Sequence, residues 1–171
     1  MTTLILTVAG ADRPGLVAAV ADVVDAHDGN WENSRLAELA GTFAGVIEVS
    51  IASERADDLE QALRGLDGLL TVAVRTGSSA AKAADADGTV LSIDVLGNDR
   101  PGIVREVSGV LRSHALSIDE LTSQTRDAAM AGGRLFEASV TATVPASVDL
   151  TALRADLERL ATEIQVDITV V

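Results

Sequence analysis

Two copies of one tetrapeptide carry the chemistry that this sequence offers. Asp12-Arg13-Pro14-Gly15 follows an apolar alternating stretch and precedes a helix-like one, and Asp99-Arg100-Pro101-Gly102 does the same at an offset of 87. A glycine at such a junction lets a ligand or another backbone come close, because no Cβ stands in the way. The helix that follows offers unpaired N–H groups and a partial positive charge, which suit a carboxylate. Asp12 and Asp99 supply acceptors for an ammonium group, and Arg13 and Arg100 could pair with an anion or lie on the surface. Together these groups could hold the two charged ends of a free amino acid. A structural reading stays open beside this one. Asp near a helix start favours the dipole whatever its function, and Pro and Gly shape tight turns without any ligand.

The elements that must position these turns are legible in the apolar pattern. Gly10 and Gly97, Leu16-Val17 and Ile103-Val104, and His27 and His114 share the same offset, so the chain contains an internal repeat. Leu4, Leu6 and Val8 form one face of a first strand whose other face, Ile5 and Thr7, suits a central position. Pro14 is expected in the first helical turn. Leu16, Val17, Val20, Val23, Val24 and His27 then form one helical stripe, which Asp28-Gly29-Asn30 ends. Trp31 to Leu39 reads as a second strand with broken alternation, and Ala40-Gly41-Thr42 turns into a third strand, Phe43 to Ile51. Asp57 or Asp58 is expected to cap a helix carrying Leu59, Ala62, Leu63 and Leu66. Leu70, Val72 and Val74 close the unit.

The second copy repeats this plan. Leu91, Ile93 and Val95 form a strand face, and Ile103 to His114 carries the same stripe. Ser117 to Arg126 matches the second strand. Residues 127–134 make a longer turn, six residues longer by the offset of Phe136 from Phe43. Asp149 caps a helix with Leu150, Leu153, Leu157 and Leu160, and Val166, Ile168 and Val170 form the last strand. The fold class is α+β: two ferredoxin-like βαββαβ units, each an antiparallel sheet with helices on one face. Their expected limits are residues 1–77 and 89–171, joined by a linker over 78–88 rich in Ser, Ala, Asp and Gly.

Composition narrows the function. The 171 residues carry a net charge of −13, and no basic face able to neutralise a phosphate backbone is evident, so direct nucleic-acid binding is not expected. Cysteine is absent, which removes disulfides and thiolate chemistry. No apolar run approaches the length of a membrane span and no N-terminal signal pattern is seen, which reads as a cytoplasmic protein. His27 and His114 fall near helix C-termini, where imidazole interacts well with the dipole, and no second His or Cys stands at ligand spacing beside either. No catalytic constellation, metal set or cofactor fingerprint is read, so no enzyme is expected.

A βαββαβ unit with a Gly-x-Asp-Arg-Pro-Gly-[Leu/Ile]-Val turn after its first strand resembles an ACT domain. Two such units without a catalytic domain resemble the glycine cleavage system transcriptional repressor family. That resemblance implies a regulatory protein that senses an amino acid such as glycine or serine and contacts a transcription factor or enzyme. The alternative is a ligand-free scaffold acting through protein contact alone. It further implies that Asp12, Arg13, Pro14, Gly15 and Leu16 line a site with the polar residue opening the second strand, Asn30. In the second unit Asp99, Arg100, Gly102 and Ser117 stand at the matching positions. Asn30 offers a donor and an acceptor on a longer arm than the Ser117 hydroxyl. The working site is therefore expected on the first turn with Asn30, facing the neighbouring unit, in a protein that forms a homodimer.

Overall fold

The structure, a computed structural model, describes residues 1–77, 88–128 and 133–171. The chain divides into two compact units, Met1–Ser79 and Ala80–Val171. The expected linker falls almost wholly outside the described residues, as does Gly132 in the long turn.

Unit 1 runs β1 (Thr2–Ala11), α1 (Leu16–Ala26), β2 (Asn30–Leu39), β3 (Thr42–Ile51), α2 (Ala56–Arg64) and β4 (Thr71–Thr76). Its sheet order is β2-β3-β1-β4, with every pair antiparallel. β1 is central, in line with its two fairly apolar faces. Leu4, Leu6 and Val8 are buried with Leu16, Val20 and Val24 of α1 and Leu59 and Leu63 of α2 in one core. The helices therefore cover one face of the sheet, while Thr7 and Ala9 look out from the other.

Unit 2 repeats this as β5 (Thr89–Asn98), α3 (Ile103–Ser113), β6 (Ser117–Asp127), β7 (Arg134–Val144), α4 (Leu150–Ile164) and β8 (Val166–Val170), in the order β6-β7-β5-β8. Leu91, Ile93 and Val95 pack with Ile103, Val107, Leu111, Leu153 and Leu157. Asp149 caps α4 as expected, accepting from the N–H groups of Thr151 at 2.9 Å and Ala152 at 3.1 Å.

The broken alternation of the second strand has a cause. Trp31 pairs with Val49 and Asn33 with Glu48, so Glu32 is the extra residue of a β-bulge. Unit 2 places Asp119 in the same role, between Ile118 and Glu120. Ala40 at φ 51° and Gly41 at φ 79° form the two-residue turn between β2 and β3, with the left-handed pair that suits a hairpin.

Three expectations are corrected. Pro14 does not lie in the first helical turn. It precedes Gly15, whose φ of 93° and ψ of −1° are those of the third residue of a type II turn, and α1 starts only at Leu16. Neither Asp57 nor Asp58 caps α2. A short 3-10 turn, Ser53–Arg55, leads straight into the helix and leaves both acids in its first turn, where they still favour the dipole. The helical stripes are narrower than their apolar residues suggest: Val17 and Val104 sit at the margins and are 45% and 43% exposed, and Leu150 opens α4 at the surface. Asp28-Gly29-Asn30 does end α1, with Asp28 at φ 56° as the left-handed residue. Gly29 donates to Val24 O at 2.9 Å, and a methyl on it would lie 2.9 Å from Val24 Cγ1, so close packing selects glycine there.

Candidate functional site

The first turn is built from the end of β1 and the head of α1. Asp12 is exposed, and its N–H donates to Gly41 O at 2.8 Å, tying the turn to the β2–β3 hairpin. Arg13 reaches the loop before β4, where Nη2 donates to Gly68 O at 2.8 Å and to Leu69 O at 3.0 Å. Pro14 and Gly15 stand exposed at the corner. No atom lies within 4 Å of where a Cβ on Gly15 would be, so the space beyond it is open. Leu16 is 2% exposed and anchors the helix in the core, so of this residue only the backbone N–H is on offer at the turn.

Gly10, two residues upstream of the turn, is explained by packing. A methyl there would meet Leu69 O and Leu70 Cδ2, both at 2.9 Å. Gly97 is tighter still, with Val166 Cγ1 at 2.4 Å. The repeated glycine thus lets the last strand's approach close over the first strand.

The second turn has the same backbone and different occupants. Asp99 N–H donates to Arg134 O at 2.8 Å, and Gly102 has φ 100°. Arg100 turns toward its own helix. Its Nη2 meets Glu106 Oε2 at 2.5 Å and its Nη1 donates to Pro101 O at 3.1 Å. Sequence reasoning passed over Glu106, although the offset of 87 sets it opposite Ala19.

Asn30 is not brought to the turn of its own unit. It pairs with Ser50, and Ser50 pairs with Thr3, near the start of β1. The turn follows the other end of that strand, so roughly 25–30 Å separates them at the usual rise per residue. A single amino acid cannot touch both within unit 1. Ser117 stands likewise opposite Thr143, which pairs with Val90 near the start of β5.

Each of these strand starts carries a feature that spacing concealed. Glu32, the bulge residue, accepts from Ser50 Oγ at 2.6 Å and from Asn30 Nδ2 at 2.8 Å. These bonds, the serine's first, hold its carboxyl below the ordinary range. In unit 2, Asp119 accepts from Thr143 Oγ1 at 2.8 Å. The signal available in advance was the acid one or two residues after the strand start in both copies.

An open recess of about 970 Å³ lies on the face of unit 2's sheet opposite its helices, with Asp94, Leu96, Glu137 and Asp167 among its walls and no residue of the Asp99–Gly102 turn. Glu137 is held by Arg126 and Gln124, which lower its pKa in that order. The recess brings no buried, convergent polar group to a ligand, so the turns remain the better candidates. Among the described residues no group of His, Asp or Glu is arranged to hold a metal ion, and no helix is long and apolar enough to cross a membrane.

A four-stranded antiparallel sheet with two helices on one face and a glycine turn after the central first strand defines a ferredoxin-like unit, present twice. Residues 2–76 match the ACT domain family model. The glycine cleavage system transcriptional repressor of Escherichia coli (strain K12) is 27% identical over 163 residues, covering 94% of this chain and 85% of that protein. The crystal structure of an unknown protein from Galdieria sulphuraria aligns with a TM-score of 0.88 at 29% identity, covering 99% of this chain and 96% of that one. A solved candidate glycine cleavage system transcriptional repressor aligns at 0.67 with 19% identity over 99% of this chain and 96% of its own, a likeness of fold. Unit 1 thus matches the ACT domain model, unit 2 repeats its topology and turn, and the chain as a whole is similar to the glycine cleavage system transcriptional repressor.

Proposed function

We propose that this chain is a non-enzymatic regulator that senses a small carboxylate-bearing ligand, an amino acid such as glycine or serine, and acts through contacts with a transcription factor or enzyme. The observation that supports this most is the open space beyond Gly15 at the head of α1, with the exposed Asp12 beside it. A ligand carboxylate there meets helix N–H groups and the positive end of the dipole. Its ammonium group meets the Asp12 carboxylate. The similarity to a transcriptional repressor over most of the chain supports a regulatory role.

A second reading is favoured by Arg13, whose bonds to Gly68 O and Leu69 O satisfy the turn without a ligand. On that reading the units serve as a scaffold for protein contact. Thermal melts with a panel of free amino acids separate the two. A ligand at 100 times its Kd adds about 2.7 kcal/mol of stability. A rise in Tm with glycine or serine supports sensing, and no rise with any amino acid supports the scaffold.

A further inference from the structure

We infer that Glu106 is an internal occupant of the second turn, an autoinhibitory contact that closes it and leaves the first turn as the one open to a free carboxylate. This rests on the reading above for what the turns are for. In unit 2 the Arg100 guanidinium holds the Glu106 carboxylate at 2.5 Å. The nearest atoms to a Cβ built on Gly102 are Glu106 Oε1 at 3.7 Å and Arg100 Nη1 at 3.9 Å. The carboxylate therefore folds back over the glycine, in the first turn of α3, where the dipole favours negative charge. It stands where an incoming carboxylate would have to stand.

Unit 1 carries the same tetrapeptide without that occupant. Ala19 replaces the glutamate, Arg13 is drawn away to Gly68 O and Leu69 O, and the space over Gly15 is empty to 4 Å. One chain thus holds the motif twice, once with a carboxylate seated on it and once without. A carboxylate tethered by its own helix acts at a local concentration of at least the millimolar order, so a weak free ligand competes poorly with it. The difference between the units then lies in Ala19 against Glu106, rather than in Asn30 against Ser117.

The test uses the full chain labelled with ¹⁵N and titrated with sodium acetate, at constant ionic strength set by sodium chloride. The amides of Leu16–Ala18 and of Ile103–Arg105 report on the two turns. Acetate is expected to shift the first set and spare the second in the parent chain. Glu106→Ala should bring the second set into the response, and Glu106→Gln, which keeps length and drops charge, should do so if the alanine variant folds poorly. Ala19→Glu should silence the first set. An equal response of both sets in the parent chain, or a silent second set in both Glu106 variants, would overturn the inference. Glycine and serine titrated into the same samples judge the sensing reading separately. If they do nothing while the acetate pattern holds, amino-acid sensing fails and the internal occupant stands; the reverse result removes the occupant alone.

Discussion

His114 Nε2–H donates to Asp156 Oδ2 at 2.8 Å and so ties α3 to α4, whereas its repeat partner His27 turns Nδ1–H back onto Val23 O of its own helix at 2.8 Å. Two histidines at one repeat position therefore do different work. The first only closes a helix end, and the second joins two elements of unit 2. Arg159 lies on the same carboxylate, 2.9 Å from Asp156 Oδ1.

This pair predicts an acid-side loss of stability. The bond from His114, then the charge of Arg159, hold the Asp156 carboxyl below its ordinary value of 3.8. A depressed folded pKa means that the contribution is complete above the unfolded value and is lost as pH falls through the folded one. Asp156→Asn should lower Tm at pH 7, and the gap from the parent chain should narrow as the pH drops below about 4. Thermal melts at a series of pH values check this. A gap that stays constant down to pH 2 would remove the linkage.

Gly97 predicts a packing failure specific to unit 2. A methyl on it would lie 2.4 Å from Val166 Cγ1 and 2.9 Å from Val166 Cβ, so β8 must shift. Gly97→Ala should cost about 1–3 kcal/mol, in the range for overpacking. Val166→Ala removes the obstructing Cγ atoms, so the double variant should be more stable than the sum of the two single losses implies. Denaturant titration of the four proteins gives the coupling directly, and simple additivity would refute the clash.

The helix starts predict a contrast among acids of one type. Asp149 accepts two backbone N–H bonds at the head of α4, and its replacement by Ala should cost about 1 kcal/mol. Asp57 and Asp58 make no cap bond, so Ala at either should cost only the few tenths typical of a surface charge near the dipole. Equal losses at all three positions in urea unfolding would mean that capping is not what Asp149 contributes.

These contrasts mark what the sequence could carry. Leu4, Leu6 and Val8 alternate, and Leu59 and Leu63 recur at helical spacing, because each core face must be continuous to exclude water; that is why the element order was legible. Glu32 and Asp119 were not, because a bulge adds one residue without a compositional mark and disturbs the alternation that reveals strands. Arg13 and Arg100 have the same neighbours in sequence and opposite partners in space. Their directions are set by Gly68 and Glu106, one in another loop and the other a turn further along the helix. The separation of Asn30 from Asp12 depends on strand order, which residue types near the turn do not encode.

That separation yields the last prediction. In ligand-binding ACT units the opening of the second strand shares the ligand with the glycine turn, and within unit 1 these lie roughly 25–30 Å apart. One ligand touching Asp12 and Asn30 must therefore draw them from two copies of the chain. Asp12→Ala and Asn30→Ala should each weaken binding by about 1–3 kcal/mol, or roughly 5- to 150-fold in Kd. In a two-fold dimer every site takes one residue from each copy. Mixed dimers of the two variants then hold one doubly altered site and one intact site. Random mixing makes half the dimers mixed, so about a quarter of the sites regain full affinity. Calorimetric titration of glycine or serine into the unfolded and refolded mixture counts them. A mixture that binds no better than its components would mean that the ligand reaches only one of the two residues. An undiminished Kd for Asn30→Ala would then leave the turn as the whole site.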